Sequence, residues 1–229
     1  MPLGDSITAG NGATGDQSYR GHLYADLIDA GWDVDFVGSQ SSTTAAGGDP
    51  DHEGHGGYTI GPGPSYLDKF VGAGNGNVAA NVEGWLAEAD PDVVLLLIGV
   101  NDYFNINNDG NDFDGDDDPG YQPDVDGPGR LADLVDQIRA ASPDTVVVVS
   151  SLLPVEFSGS FAAGFNAGVP AIAESRDHVW FTDGNAAPLA DGDWIDGGLH
   201  LSDGGAAKVA DVYAADLIDV FEAEFGSAS

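Results

Sequence analysis

The chain has no cysteine among its 229 residues. That excludes disulfides, thiolate metal ligands and cysteine nucleophiles, and leaves the redox compartment open. Basic residues are scarce: six Lys and Arg stand against 39 Asp and Glu, for a net charge of −33. Phosphate backbones and anionic lipid surfaces would be repelled by such a chain, so neither nucleic acid nor a membrane is expected as a partner. Long apolar runs are also missing, none approaching the ~20 residues that span a bilayer. No signal-peptide pattern stands at the N-terminus. Only Met1 to Leu3 precede the first turn, which is short for a central strand. A truncated start is therefore expected, with strand residues or a targeting segment upstream and a secreted protein as the consequence. If Met1 is the true start, the expectation is the cytoplasm of a high-salt organism.

What is present argues for a folded protein. Hydrophobic residues make up 42% of the chain and aromatics 9%, enough for a full core and against disorder. The acids are scattered over every segment instead of forming a tail. In molar salt the Debye length falls to about 3 Å and such a surface stops repelling itself, so the composition reads as halophilic.

Periodicity organises the chain. Leu23, Leu27 and Ile28 predict a helix over Tyr19–Ala30, ended by Gly31. A short strand is expected at Val34–Val37, and Ser41 to Pro64 reads as loop. A helix over Val78–Ala89 leads to the aliphatic run Val93–Ile98, a strand buried on both faces. Residues 105–129 read as an acidic loop insertion. Then come a helix over Leu131–Ala141, a buried strand at Val146–Val149, a helix over Ala162–Ser175 interrupted at Gly168 and Pro170, and a strand at His178–Thr182. Ser202 caps a last helix with Val209, Val212, Tyr213, Leu217, Val220 and Phe221 at helical spacing. Strand and helix alternate without a linker. Residues 1–229 are thus one α/β domain, three-layer α/β/α, on a central parallel sheet of about five strands.

Ligands of such sheets bind at the carboxyl ends of the strands, and the suspicious polar groups gather there. Ser6 follows the first strand in Pro2-Leu3-Gly4-Asp5-Ser6. Gly56-Gly57-Tyr58-Thr59 lies in the loop after the second, and Gly99-Val100-Asn101-Asp102 follows Val93–Ile98. Asp196-Gly197-Gly198-Leu199-His200 precedes the last helix. Together they offer a nucleophile, a backbone N–H, an amide donor, a base and an acid, the inventory of acyl transfer.

These four blocks, in this order, resemble the SGNH (GDSL-type) hydrolases. Met1 to Gly10, Asp51 to Ile60, Asn81 to Trp85 and Pro91 to Asp102 are similar to the small acetylxylan esterases of that superfamily. The resemblance covers nearly the whole chain and implies a flavodoxin-like SGNH hydrolase fold. It implies Ser6 as nucleophile, His200 as base and Asp196 as its acid, with Ser6, Gly57 and Asn101 forming the oxyanion hole. Asp5 and Asp102 are expected to brace their turns through local hydrogen bonds. The implied activity is hydrolysis of short-chain acetyl esters on a small molecule or polysaccharide such as acetylxylan, without a cofactor. The alternatives are a short-chain esterase or thioesterase on non-sugar substrates, and a catalytically silent carbohydrate-binding domain.

One spacing departs from the family: Asp196 stands four residues before His200, with one glycine more than Asp-x-x-His. Gly197-Gly198 absorbs it, or Asp193 is the acid, or the acid is missing. Tyr103 and Trp194 flank the site as candidates to stack on a sugar, with packing as the other reading. Asp112, Asp114 and Asp116 alternate as calcium ligands do, but the distal Glu is absent and a solvated loop is the plainer reading. The pair His52 and His55, with Glu53 between them, suggests a metal cluster, yet no third ligand of fitting spacing follows the pair, and a solvated loop is expected.

Overall fold

The protein is described here from a computed structural model, which defines residues 1–42, 48–61, 76–102, 123–155 and 159–228. The elements in chain order are β1 (Pro2–Gly4), α1 (Ser6–Ala9), α2 (Tyr19–Asp29), β2 (Gln40–Ser41), β3 (Asp51–Gly54), α3 (Val82–Ala89), β4 (Val93–Leu97), α4 (Pro123–Ala141), β5 (Val146–Ser150), α5 (Gly159–Glu174), β6 (Val179–Thr182), β7 (Trp194–Ile195), β8 (His200–Leu201) and α6 (Asp203–Phe225).

Six strands form one sheet in the order β2-β3-β1-β4-β5-β6. Five run parallel, and β2 pairs antiparallel with β3 at one edge. Counting parallel strands alone, the order is 2-1-3-4-5, the flavodoxin-like winding, so the crevice between β1 and β4 is the topological switch point. Ser6 follows β1 and Asn101 follows β4, one on each side of it. Helices α2 and α6 pack on each other, as do α4 and α5, with α3 against α4. The aliphatic strands β4 and β5 are buried almost throughout, as their composition requires. A separate two-stranded ribbon, β7-β8, carries the last functional block.

Four expectations are corrected. Val34–Val37 joins no ladder; Phe36 N–H donates to Asp49 Oδ2 at 3.0 Å instead. The second parallel strand is β3, inside the stretch read as loop. Its Asp-His-Glu-Gly sequence carries no hydrophobic signal, yet His52, Glu53 and Gly54 are buried. They tolerate burial because each polar group has a partner: Glu53 takes Ser39 N–H at 2.6 Å and Ser39 Oγ–H at 2.7 Å, and His52 meets Ser42 Oγ at 2.8 Å.

The acidic insertion does not extend to residue 129. Residues 103–122 lie outside those described, and helix α4 already begins at Pro123. Gly127 and Pro128 look like breakers but serve packing. A Cβ on Gly127 would lie 2.7 Å from the Phe165 ring, and one on Gly168 would lie 2.6 Å from Pro128. The same contact explains the fourth correction. Helix α5 runs unbroken through Gly168 and Pro170, because Gly168 admits Pro128 and the neighbouring helix holds the segment in place.

Candidate active site

At the end of β1 the backbone turns under tight constraint. A Cβ on Gly4 would sit 2.2 Å from Leu97 O and 2.5 Å from Thr8 Oγ1, so no larger residue fits there. Asp5 caps α1, its Oδ1 accepting Ile7 N–H at 2.9 Å, and Ser6 is the first helical residue. The turn is braced from below. Arg20 Nε donates to Thr8 O at 2.7 Å and Nη2 to Ala9 O at 3.2 Å, while Thr8 Oγ1 meets Tyr19 OH at 3.0 Å. Asp5 is fully enclosed, and burial pushes its carboxyl up to about 7. The Ile7 N–H opposes that rise and the charge of Asp102 adds to it.

From the other end of the chain, the β7-β8 ribbon brings His200 to Ser6. Nε2 of His200 lies 2.9 Å from Ser6 Oγ, and Nδ1 lies 2.9 Å from Asp196 Oδ2. Asp196, Gly197 and Gly198 all take positive φ, at 51°, 72° and 91°. Two of the three are glycine, which takes this conformation without strain, and the ribbon so accommodates the additional residue while Ile195 still pairs with His200. Asp193 is engaged elsewhere. Its Oδ2 accepts Lys208 Nζ–H at 2.6 Å and Ala190 N–H at 2.7 Å, and its carbonyl accepts Ser202 N–H at 2.8 Å. Lys208 above all holds the Asp193 carboxyl below its usual range. With Nδ1–H donated to Asp196, a neutral His200 turns the lone pair of Nε2 toward the Ser6 hydroxyl.

The two candidate amide donors flank Ser6, Gly57 in the loop after β3 and Asn101 after β4, across the switch point. His55 N–H donates to Gly4 O at 2.9 Å, which keeps the loop after β3 beside β1 and places Gly57, at φ 80°, on the edge where Ser6 stands. Asn101 Nδ2 donates one hydrogen to Tyr58 O at 2.9 Å and has a second to offer. Asp102 does brace its surroundings, but not locally: Oδ2 accepts the N–H of Ile60, 42 positions away, at 3.1 Å.

Trp194 is half-buried, packed against the core in β7. Tyr103 and the alternating Asp112, Asp114 and Asp116 lie outside the described residues. His52 and His55 belong to no solvated loop. Burial pushes the His52 imidazole down to about 3, with the positive charge of Arg20 adding to it. His55 stacks on Trp85 at 4.4 Å and on Tyr58 at 4.7 Å, with Nε2 2.5 Å from Glu53. Among the described residues no group of three or more His, Asp or Glu is placed to hold a metal ion. Sequence reasoning missed Gly12, where a Cβ would lie 2.9 Å from Asp196 Oδ2. Nothing in an isolated glycine between two others signals that proximity.

Residues 3–208 match the GDSL-like Lipase/Acylhydrolase family. Among solved structures, the chain is similar to the family 3 carbohydrate esterase of Clostridium thermocellum, with 32% identity, a TM-score of 0.75, and coverage of 97% of this chain and 96% of that one. An acetyl esterase, solved as a serine-to-alanine variant with an acetate ion, is 25% identical with a TM-score of 0.72 and coverage of 97% of both chains. In sequence, 99% of the chain aligns with the multidomain esterase of Ruminococcus flavefaciens at 27% identity, and spans 29% of that protein's length.

Proposed function

The chain belongs to the GDSL-like Lipase/Acylhydrolase family, and from that premise we propose that it is a serine esterase removing acetyl groups from carbohydrates, acetylxylan among them. The observation that carries this reading is the unbroken chain from Ser6 Oγ through His200 to Asp196, two contacts of 2.9 Å each. The similar carbohydrate and acetyl esterases support the substrate class.

Ser6 Oγ attacks the ester carbonyl while His200 Nε2 takes its proton, and the carbonyl oxygen becomes an oxyanion. The backbone N–H groups of Ser6 and Gly57 and the second Nδ2 hydrogen of Asn101 receive that charge. Asp196 holds the imidazole orientation and stabilises the imidazolium. Collapse breaks the bond to the sugar oxygen, which leaves with the proton from His200. Water, deprotonated by His200, then attacks the acetyl-serine; acetate departs and the proton returns to Ser6. No step calls for a cofactor. A silent binding domain was the rival if the extra glycine broke the constellation, and the His200–Asp196 contact removes that motive.

The test is release of acetate from acetylated xylan and turnover of p-nitrophenyl acetate, compared with butyrate and acetyl-thioester substrates. Turnover of p-nitrophenyl acetate without acetate release from xylan would move the reading to non-sugar esters. Binding of xylan with no turnover of any ester would overturn it.

A further inference from the structure

In a chain with six basic residues against 39 acids, where a cation is placed carries information. Arg130, on the solvent-poor side of α4, stands where two donor segments of the site meet. Its Nη2 donates to Gly61 O at 2.5 Å, and its Nη1 lies 3.4 Å from Asp102 Oδ1. Asp102 is wholly buried, and its other oxygen accepts Ile60 N–H at 3.1 Å. The neighbouring Asn101 donates to Tyr58 O at 2.9 Å. Segments 58–61 and 101–102 are thus tied directly to each other twice, and Arg130 bonds to both from outside.

We propose that Arg130 is the positioning residue of the oxyanion hole, holding the Gly57 amide and the Asn101 side chain in fixed relation through Gly61 and Asp102. This rests on the esterase reading above. The planar guanidinium fork suits the task, because two nitrogens address two acceptors in fixed directions, which a lysine ammonium does not do. Arg130 touches no reacting atom and acts through its neighbours. Donors of an oxyanion hole work only when aimed in advance, and a misplacement of about 1 Å can cost on the order of 100-fold in rate. Removing the fork also deprives the buried Asp102 carboxylate of a cationic neighbour, so the segment that carries Asn101 has reason to shift.

The experiment is a double-mutant cycle on the full chain in concentrated KCl, using Arg130→Gln and Asn101→Ala singly and together. Active sites are titrated with an organophosphate that labels Ser6, so kcat for p-nitrophenyl acetate is read per competent site. Arg130→Gln is expected to lower kcat by about 10–100-fold with KM changed less than about twofold. In the Asn101→Ala background the same substitution should cost at least about threefold less than in the parent, because one of the two donors it aims is gone and only Gly57 remains. Equal factors in both backgrounds, or an unchanged kcat per titrated site with only a lower Tm, would overturn the proposal. If Arg130→Gln does not fold, Arg130→Lys carries the same cycle with a smaller effect. Failure of the esterase reading looks different: Ser6→Ala would then hydrolyse as the parent does.

Discussion

Ser6 and His200 meet across 2.9 Å, but the two regions that carry them are built on opposite terms. The Ser6 region is enclosed: Asp5, Ser6, Thr8, Arg20, Asn101 and Asp102 are all buried polar residues, Asp5 capping the helix that follows it and the others tied to partners on other elements. The His200 region is a two-residue ribbon closed by left-handed residues, and the Asp196 side chain is 59% exposed while that of His200 is 12% exposed. Burial makes the first region part of the fold as well as the chemistry. Exposure makes the ribbon tip chemistry almost alone. Substitutions should therefore separate, with activity and stability falling together on one side and activity falling by itself on the other.

The largest effect tests the meeting point. Ser6→Ala should lower kcat for p-nitrophenyl acetate by about 10⁶-fold, since a nucleophile acts as one unit with its base. Ordinary turnover in that variant would end the serine mechanism. On the exposed side, Asp196→Asn should cost about 10⁴ in kcat by releasing the imidazole orientation, with Tm unchanged. Asp193→Asn, by contrast, loosens the pair with Lys208 and should lower Tm with kcat reduced far less. The reverse pattern would make Asp193 the acid. On the enclosed side, Asn101→Ala should lower kcat by about 10²–10³ and also lower Tm, because Tyr58 O loses its donor. A loss confined to kcat would blur the contrast between the two regions.

We read the acidity as adaptation to concentrated salt. On lowering KCl, kcat should fall before the fold melts, because the exposed Asp196 ribbon feels the unscreened charge more than the enclosed region does. Full activity in dilute buffer would show that the charge of −33 needs no screening.

The smallest effects concern pH at constant high salt. Asp5, raised to about 7, keeps its proton in the folded state while the unfolded chain loses it above the usual aspartate value of 3.8. Its contribution therefore weakens stability as pH rises from about 4 to about 7. His52, lowered to about 3 from 6.5, works the other way: the unfolded chain gains a proton the folded one refuses, so stability is lost as pH falls from about 6.5 to about 3. The two slopes oppose each other. Relative to the parent, urea midpoints of Asp5→Asn should rise more steeply with pH across that window, and those of His52→Gln should fall. Parallel curves for all three proteins would mean that neither group is as enclosed as the structure places it.

Apolar burial was legible in the sequence because it is inscribed locally. The aliphatic runs at Val93 and Val146 could be nothing but central strands, and the stripe from Val209 to Phe221 could only face a core. The four blocks that carry Ser6, Gly57, Asn101 and His200 were likewise readable, as short patterns at strand ends in a fixed order. Polar burial was not legible, because a polar side chain goes inside only where partners wait, and those partners come from elsewhere in the chain. Glu53 and His52 could enter β3 because Ser39 and Ser42 meet them, so the second parallel strand lay in a stretch with no hydrophobic signal, while apolar Val34–Val37 stayed outside the sheet. The spacing between Asp196 and His200 was written plainly, yet only the three successive positive φ angles and the capture of Asp193 by Lys208 decided which carboxylate faces the imidazole. Arg130 was one cation before an apolar stripe until the chain closed around Asp102 and Gly61. Local sequence sets what each segment can bury, and only the closed fold supplies the distant partner that lets a charge be buried with it.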